Sequence, residues 1–242
     1  MNQTKDGHKG GFRRFGWYRI IEHQLGALNF AILVATGLAQ KFHEQPWAGS
    51  LVDRLGGIEA LRLLHRGMGL FFVLFLAQHI IVAFYGVLKL GWSPSMLITL
   101  KDFTDAIDNL RYYLGRQDHP ARCDRYDYKQ KFEYWGVIMG GVVIAGSGLM
   151  LWFPTAAFRW IPFLPGQILP AALEVHTNEA MLALLVIAIW HIYNSVFSPE
   201  VFPLDTAIFT GRISWEHMRH EHPLEYERVG GPAAGGGDAD PP

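Results

Sequence analysis

Four long apolar runs divide this chain and limit its possible folds more than any other feature. Each run is about 20 residues long, the length that an α-helix needs to cross the hydrocarbon core of a bilayer. Half of the 242 residues are hydrophobic and only 18% are charged, and the charged residues concentrate between the runs. The sequence therefore predicts an all-α integral membrane protein, a bundle of four helices. The predicted helices cover about residues 20–39, 65–88, 134–153 and 171–193.

The distribution of lysine and arginine orients the bundle. Residues 1–19 carry five of these side chains and residues 89–131 carry eight, whereas the loop before the fourth run carries only Arg159. Because such residues accumulate on the cytoplasmic side, we expect both termini in the cytoplasm of a bacterium and the helices in its inner membrane. The predicted parts are a cytoplasmic basic arm (1–18), a four-helix domain (19–196) and a cytoplasmic tail (197–242) with a disordered, glycine-rich end.

The cysteine content narrows the redox chemistry that the chain can support. Cys123 is the only cysteine, so the chain has no internal disulfide, no cysteine-ligated iron–sulfur cluster and no CxxCH attachment of c-type haem. Any redox centre must be held by histidine. The basic residues are divided among loops and form no single patch, so no nucleic-acid partner is expected.

Five histidines lie within or at the ends of the apolar runs. An ionisable side chain inside a membrane is costly and by default indicates a functional site. Four of these histidines form two pairs, 14 and 15 residues apart, each pair spanning roughly 21 Å of helix. In an ideal α-helix the rotation within a pair is about 40° short of whole turns or about 60° past them, so both members share one face. The five are His23, His65, His79, His176 and His191.

This pattern predicts two b-type haems, one above the other, because each haem iron takes one imidazole from each face. His65 and His176 lie at equal depth near the outer surface and predict one ligand pair. Near the inner surface, His191 can pair with either His79 or His23, and the residues leave both possibilities open.

The third apolar run contains no histidine and is rich in glycine. Small residues let membrane helices pack closely without any cofactor, and missing side chains also leave room for a flat macrocycle. Both interpretations stay open from the sequence. The glycines are Gly136, Gly140, Gly141, Gly146 and Gly148.

The chain resembles the membrane cytochrome b subunits of respiratory formate dehydrogenases and nickel–iron hydrogenases. Residues 14–38, 63–80, 124–154 and 175–203 resemble the four helices of that family in turn, and the resemblance extends from about residue 12 to 205. It implies His65 and His176 as ligands of the outer haem. It further implies His23 and His191 for the inner haem, with His79 an addition found in wider cytochrome b/b6-domain relatives.

The resemblance also implies a quinone site beside the inner haem. The family carries a tyrosine-asparagine-x-glycine-glutamine-lysine motif there, and this chain has Tyr126, Asp127, Lys129 and Gln130 in the corresponding stretch. Gln130 and the lysine after it keep the pattern, whereas Asp127 and Lys129 depart from it. Asp127 could accept the quinol proton, and Lys129 could neutralise the charge of haem or quinone.

The expected function is electron transfer within a quinone-linked oxidoreductase complex of a respiratory chain. The expected cofactors are two haem b groups and menaquinone or ubiquinone. The expected partners are the surrounding lipid and a periplasmic iron–sulfur subunit or multihaem cytochrome c. The alternative is a haem-free membrane anchor or assembly subunit, whose histidines would only bridge helices.

Overall fold

The computed structural model describes residues 11–160, 166–199 and 201–230, and most of them are helical. In chain order the elements are β1 (Phe12–Arg13), α1 (Trp17–Lys41), α2 (Pro46–Arg54), α3 (Ile58–Lys89), α4 (Leu100–Tyr113), α5 (Tyr128–Trp152), α6 (Pro154–Trp160), α7 (Ile168–Leu185), α8 (Ala207–Thr210), β2 (Arg212–Ile213), α9 (Trp215–Glu221) and α10 (Pro223–Val229). Helix α7 continues in π-helical form through Val186–His191 and Tyr193–Phe197.

Within the described residues, four helices are long and apolar enough to cross a membrane, as the sequence predicts. They are α1, α3, α5 and α7 with its π-helical continuation, Ile168–Phe197. Each begins about one or two turns before the corresponding apolar run. The difference arises because a run marks only the part of a helix that hydrocarbon can cover, whereas backbone hydrogen bonding continues into polar residues such as Lys129 and Gln130.

The described residues form two compact units. The helical unit comprises Gln24–Lys89 and Gly136–His191 and contains most of the four spanning helices. Its buried hydrophobic cluster joins Ala39 of α1, Ala48 of α2 and Leu61 of α3. The short helix α2 starts with Pro46, which suits a first helical position because it needs no backbone N–H there. It therefore packs the first predicted outer loop against the ends of two spanning helices.

The terminal unit combines the chain segments at residues 11–23, 90–135 and 192–230. Strand β1 pairs antiparallel with β2. Glu225 of α10 is almost completely buried and accepts hydrogen bonds from Arg125, at 3.0 Å, and Arg14, at 3.5 Å. Arg14 and Arg125 also each donate a hydrogen bond to the other's carbonyl oxygen. The three segments of this unit, which contain Arg14, Arg125 and Glu225, are thus held together by hydrogen bonds to one carboxylate.

The tail is folded through Val229, with α8, β2, α9 and α10 in the terminal unit. The predicted disorder at the end of the tail concerns residues 231–242, which lie outside the described residues. The beginning of the basic arm, residues 1–10, also lies outside them.

Candidate functional site

The imidazole of His65 is fixed by two adjacent residues of α1. A Cβ atom at Gly37 would lie 3.4 Å from His65 Cε1, at ordinary van der Waals distance, so the ring packs directly against this part of α1. Thr36 Oγ1 lies 2.8 Å from His65 Nδ1. The Thr36 hydroxyl donates to the Ile32 carbonyl at 2.7 Å, so its oxygen accepts the proton of Nδ1. This tautomer leaves the lone pair of Nε2 for a metal ion.

The imidazole of His176 is held in the same way by α5. A Cβ atom at Gly148 would lie 3.0 Å from His176 Cε1, and Ser147 Oγ lies 3.2 Å from Nδ1. His176 Nδ1 also lies 3.1 Å from the Ile144 carbonyl oxygen. A carbonyl can only accept a hydrogen bond, so Nδ1 carries the proton and Nε2 again keeps its lone pair.

The residues that contact His65 and His176 occupy equivalent positions in two helix pairs, α1 with α3 and α5 with α7. Thr36 precedes His65 by 29 residues, and Ser147 precedes His176 by 29 residues. Each hydroxyl is followed by the glycine that receives the ring, and each also bonds the carbonyl four residues earlier in its own helix. Thr36 and Ser147 are not among the residues predicted from the sequence. Their signal is the repeated hydroxyl–glycine pair at a constant distance before each histidine.

The helical unit brings the rings of His65 and His176 together. Their centroids are 6.3 Å apart and their planes differ by 82°. A metal–imidazole bond is about 2 Å long, so two imidazoles on opposite sides of one metal ion have centroids about 6 Å apart. Among the described residues, no group of three or more His, Cys, Asp or Glu side chains could hold a metal ion. At this separation His65 and His176 would hold a haem iron between them, and the haem would supply a redox centre.

The glycines of α5 serve different purposes. Gly148 receives the His176 ring, whereas Gly141 packs against Phe72 of α3, 3.1 Å from its would-be Cβ. A Cβ atom at Gly140 would overlap the Glu179 carboxylate of α7. The contacts at Gly141 are those of close helix packing, Gly148 leaves space for the His176 ring, and room for a macrocycle stays a prediction.

The three remaining histidines of the apolar runs are all partly buried. His79 lies on α3 and His191 ends the first π-helical stretch of the α7 span, both in the helical unit, and His23 belongs to the terminal unit. A π-helix turns less per residue than an α-helix. The π-helical stretch therefore reduces the 60° excess of the ideal helix and brings His191 closer to the face of His176. The partner of His191 stays a prediction.

The predicted quinone residues lie at the start of α5. Asp127 and Gln130 form a reciprocal cap: the Gln130 backbone N–H donates to Asp127 Oδ1 at 2.7 Å, and the Asp127 N–H donates to Gln130 Oε1 at 3.1 Å. Lys129 Nζ lies 3.6 Å from Asp127 Oδ2. The Tyr126 ring contacts the guanidinium groups of Arg14 and Arg125. Each of these four side chains thus has a local structural contact.

A buried ion pair next to this stretch involves residues outside the predicted site. Lys131 Nζ donates to Asp102 of α4 at 2.8 and 3.0 Å. Burial alone would raise the pKa of the Asp102 carboxyl, but hydrogen bonds from Lys131 and Thr99 outweigh it and hold the pKa below its usual value. The charge of Lys131 is therefore balanced by Asp102, and this ion pair holds α4 against α5.

The spanning helices and the facing histidines define a membrane protein of the cytochrome b type. The chain belongs to the prokaryotic cytochrome b561 family, whose sequence profile it matches over residues 14–206. It is similar to the cytochrome b556(fdo) subunit of formate dehydrogenase from Escherichia coli strain K12 and from the O6:H1 and O157:H7 strains. In each case 27% of residues are identical over 209, covering 86% of this chain and 89% of the relative. The protein is a membrane cytochrome b that takes part in electron transfer.

Proposed function

We propose that this chain is the di-haem subunit of a respiratory complex and carries electrons across the membrane between a periplasmic redox partner and the quinone pool. The observation that carries this proposal is the 6.3 Å separation of the His65 and His176 rings, each with Nδ1 engaged and Nε2 available as a ligand. A b-type haem would supply a one-electron iron couple at this position.

Thr36 and Ser147 would act on the outer haem through its ligands. Hydrogen bonds to the second nitrogen of a ligating histidine fix its tautomer and ring orientation and raise its basicity. Both hydroxyls are oriented by carbonyls of their own helices, so neither has to reorganise when the charge of the iron changes. Such fixed dipoles keep the cost of electron transfer low.

The inner haem would be held by His191 together with His23 or His79. The π-helical stretch that ends at His191 supports this role, because local π-helix often occurs at functional sites. The family resemblance supports His23. Quinone would bind beside this haem near Tyr126, Asp127, Lys129 and Gln130. The reciprocal cap uses Gln130 Oε1, so we propose that the Nε2 amide donates to a quinone carbonyl.

The redox partner would be a separate subunit on the periplasmic side. By their names, the E. coli relatives are cytochrome subunits of formate dehydrogenase. This similarity supports assembly with the catalytic subunits of an oxidoreductase, and we propose an iron–sulfur subunit as the direct partner. A multihaem cytochrome c is the second candidate.

A pyridine haemochromogen assay, with haem counted per chain on detergent-purified protein, tests the proposal. Wild-type protein should contain two haem b groups, and His65→Ala and His176→Ala should each lose one. The matched control is His43→Ala, which removes an exposed histidine and should keep both haems. Of His23→Ala and His79→Ala, only the variant lacking the true ligand should lose the inner haem. Colourless wild-type protein would favour the haem-free anchor and overturn the proposal.

Electron paramagnetic resonance adds a test of the geometry. Nearly perpendicular ligand planes, at 82°, make two iron d orbitals almost equal in energy and give a highly anisotropic low-spin ferric signal. Parallel planes would give a rhombic spectrum instead. One such signal should be lost in His176→Ala, and a spectrum identical to that of the wild type would show that His176 is not a ligand.

A further inference from the structure

Helix α4 exposes its apolar side chains to the outside. At 100° per residue these side chains fall within an arc of about 80°, and Leu100 at its start is 85% exposed. A helix at the surface of a soluble domain has the reverse pattern, with its apolar side turned to the core. The exposed apolar residues of this face are Leu100, Phe103, Ile107, Leu110 and, directly after the helix, Leu114.

The opposite face of α4 is polar and buried. Asp102 binds Lys131, Asp105 accepts a hydrogen bond from Lys101 at 2.6 Å, and Asn109 Oδ1 accepts one from the Ala121 N–H at 2.7 Å. These three residues lie within an arc of about 60° and are each less than 9% exposed. Rotating the helix to bury its apolar face would break this set of contacts and leave the buried Lys131 ammonium without its partner Asp102. The outward direction of the apolar face is therefore fixed.

The attachments of α4 are to the beginning of a spanning helix. Lys131 and Trp135 both lie in the first turns of α5, and Trp135 Nε1 donates to the Met96 carbonyl in the segment before α4 at 2.9 Å. The same turns of α5 expose Phe132, which is 72% exposed. The exposed apolar face of α4 and the exposed Phe132 at the beginning of α5 thus belong to the same unit.

The residues around the apolar face are typical of a membrane–water boundary. Tyr113, the last residue of α4, is 66% exposed, and Leu97 and Ile98 shortly before the helix are exposed as well. Tryptophan and tyrosine concentrate where a bilayer meets water. Lys101 and Arg111 are exposed on the same helix, and their long stems can run along apolar surface while the charge stays in water.

We propose that α4 is an interfacial helix whose apolar face is buried in lipid at the surface of the bilayer. Its 14 residues extend about 21 Å, which is too short to span the membrane and suits a position in its plane. Lipid is the expected occupant because α4 is held by the part of α5 that enters the membrane. This inference is independent of haem and quinone binding.

Site-directed spin labelling in lipid vesicles tests the proposal. The only cysteine of the chain is buried, and burial raises the pKa of its thiol to about 12, so it should react little with the label, and Cys123→Ser removes the remaining reaction. Labels are attached at Phe103→Cys and Leu110→Cys, both exposed positions. Leu74→Cys, exposed on α3, is the bilayer reference, and Asp118→Cys, in the exposed loop after α4, is the water reference.

Power saturation compares collisions of each label with oxygen, which dissolves in lipid, and with a water-soluble nickel chelate. The oxygen-to-nickel ratio at positions 103 and 110 should exceed that at Asp118 several-fold and stay below that at Leu74, which lies near the middle of α3. Ratios equal to that at Asp118 would show a face in water and overturn the proposal. Immobile labels shielded from both reagents would show a protein partner, such as a second copy of the chain, and would also overturn it.

Discussion

The hydroxyl of Thr36 lies 2.8 Å from Nδ1 of His65, across two membrane-spanning helices. The hydroxyl proton is donated to the Ile32 carbonyl, so the imidazole is the donor in this contact. The contact therefore sets both the tautomer of His65 and the direction in which Nε2 points. Ser147 and His176 repeat the relationship in the second helix pair, with the Ile144 carbonyl as an additional acceptor.

Thr36→Val should raise the midpoint potential of the outer haem. Valine keeps the shape of threonine but cannot accept the Nδ1 proton, so His65 becomes less basic and stabilises ferric iron less well. A hydrogen bond worth about 1 kcal/mol corresponds to a shift on the order of 40 mV for one electron. Potentiometric titration measures the shift. The matched control is Thr177→Val, which removes an exposed hydroxyl that donates to the Leu173 and Glu174 carbonyls of its own helix; an equal shift there would refute the assigned role.

Ser147→Ala should shift the same potential by less than Thr36→Val does. The variant removes one acceptor of the His176 Nδ1 proton but leaves the Ile144 carbonyl at 3.1 Å. The tautomer is therefore maintained, and the basicity of the ring changes only in part. The same titration compares the two variants. A shift as large as that of Thr36→Val would mean that the carbonyl is not the principal acceptor.

Gly148→Ala should weaken the outer haem site, whereas Gly37→Ala should retain it. A Cβ atom at position 148 would lie 3.0 Å from His176 Cε1, closer than an ordinary van der Waals contact, and would push the ring from its position. At position 37 the distance to His65 Cε1 is 3.4 Å, which is an ordinary contact. The haem content and the low-spin ferric signal of both variants check the difference.

The control for this pair is Gly136→Ala, because a Cβ atom there meets no atom of the described residues within 4 Å. It should keep both the haem content and the spectrum of the wild type. Full retention of the outer haem in Gly148→Ala would show that α5 or α7 moves easily to accommodate a methyl group. In that case the glycine does not limit the site.

Sequence patterns predict the parts of this structure that depend on periodicity and depth. Apolar length predicts the four spanning helices, and equal depth on two helices predicts that His65 and His176 face each other. The π-helical turns before His191 are not predictable in this way, because no proline or glycine marks them within Val186–His191. They change the rotation between His176 and His191, which the sequence prediction assumes to be that of an ideal α-helix.

Contacts between distant segments could not be predicted from the sequence. Glu225 joins Arg14 and Arg125, which lie 211 and 100 residues away, and nothing local in the tail distinguishes it from an exposed glutamate. The orientation of α4 could not be predicted either, because its polar and apolar residues alternate as in an ordinary amphipathic helix. Only the contacts of Asp102 and Asn109 show that the polar side faces the protein.

Acid should loosen the terminal unit through His222. This residue is 7% exposed, and its Nδ1 donates to the Asp124 carbonyl at 2.8 Å. Burial, together with the positive charge of Arg14, lowers the pKa of His222 from 6.5 to about 3. Below pH 6.5 the His222 imidazole therefore binds a proton in the unfolded tail, whereas in the folded unit it stays neutral down to about pH 3. Stability should fall by about 2 kcal/mol between pH 7 and pH 5 and continue to fall until about pH 3.

Hydrogen exchange of the backbone amides in α10, corrected for the intrinsic effect of pH, measures this loss. The opening equilibrium should increase about thirtyfold between pH 7 and pH 5. In His222→Asn the side-chain amide can replace the Nδ1–H donor but does not titrate, so the increase should largely disappear. His119→Asn, which removes an exposed histidine of the same unit, should behave like the wild type. An undiminished increase in His222→Asn would refute the role of His222 and assign the acid sensitivity to another histidine of the unit, such as His217, whose pKa is also lowered by burial.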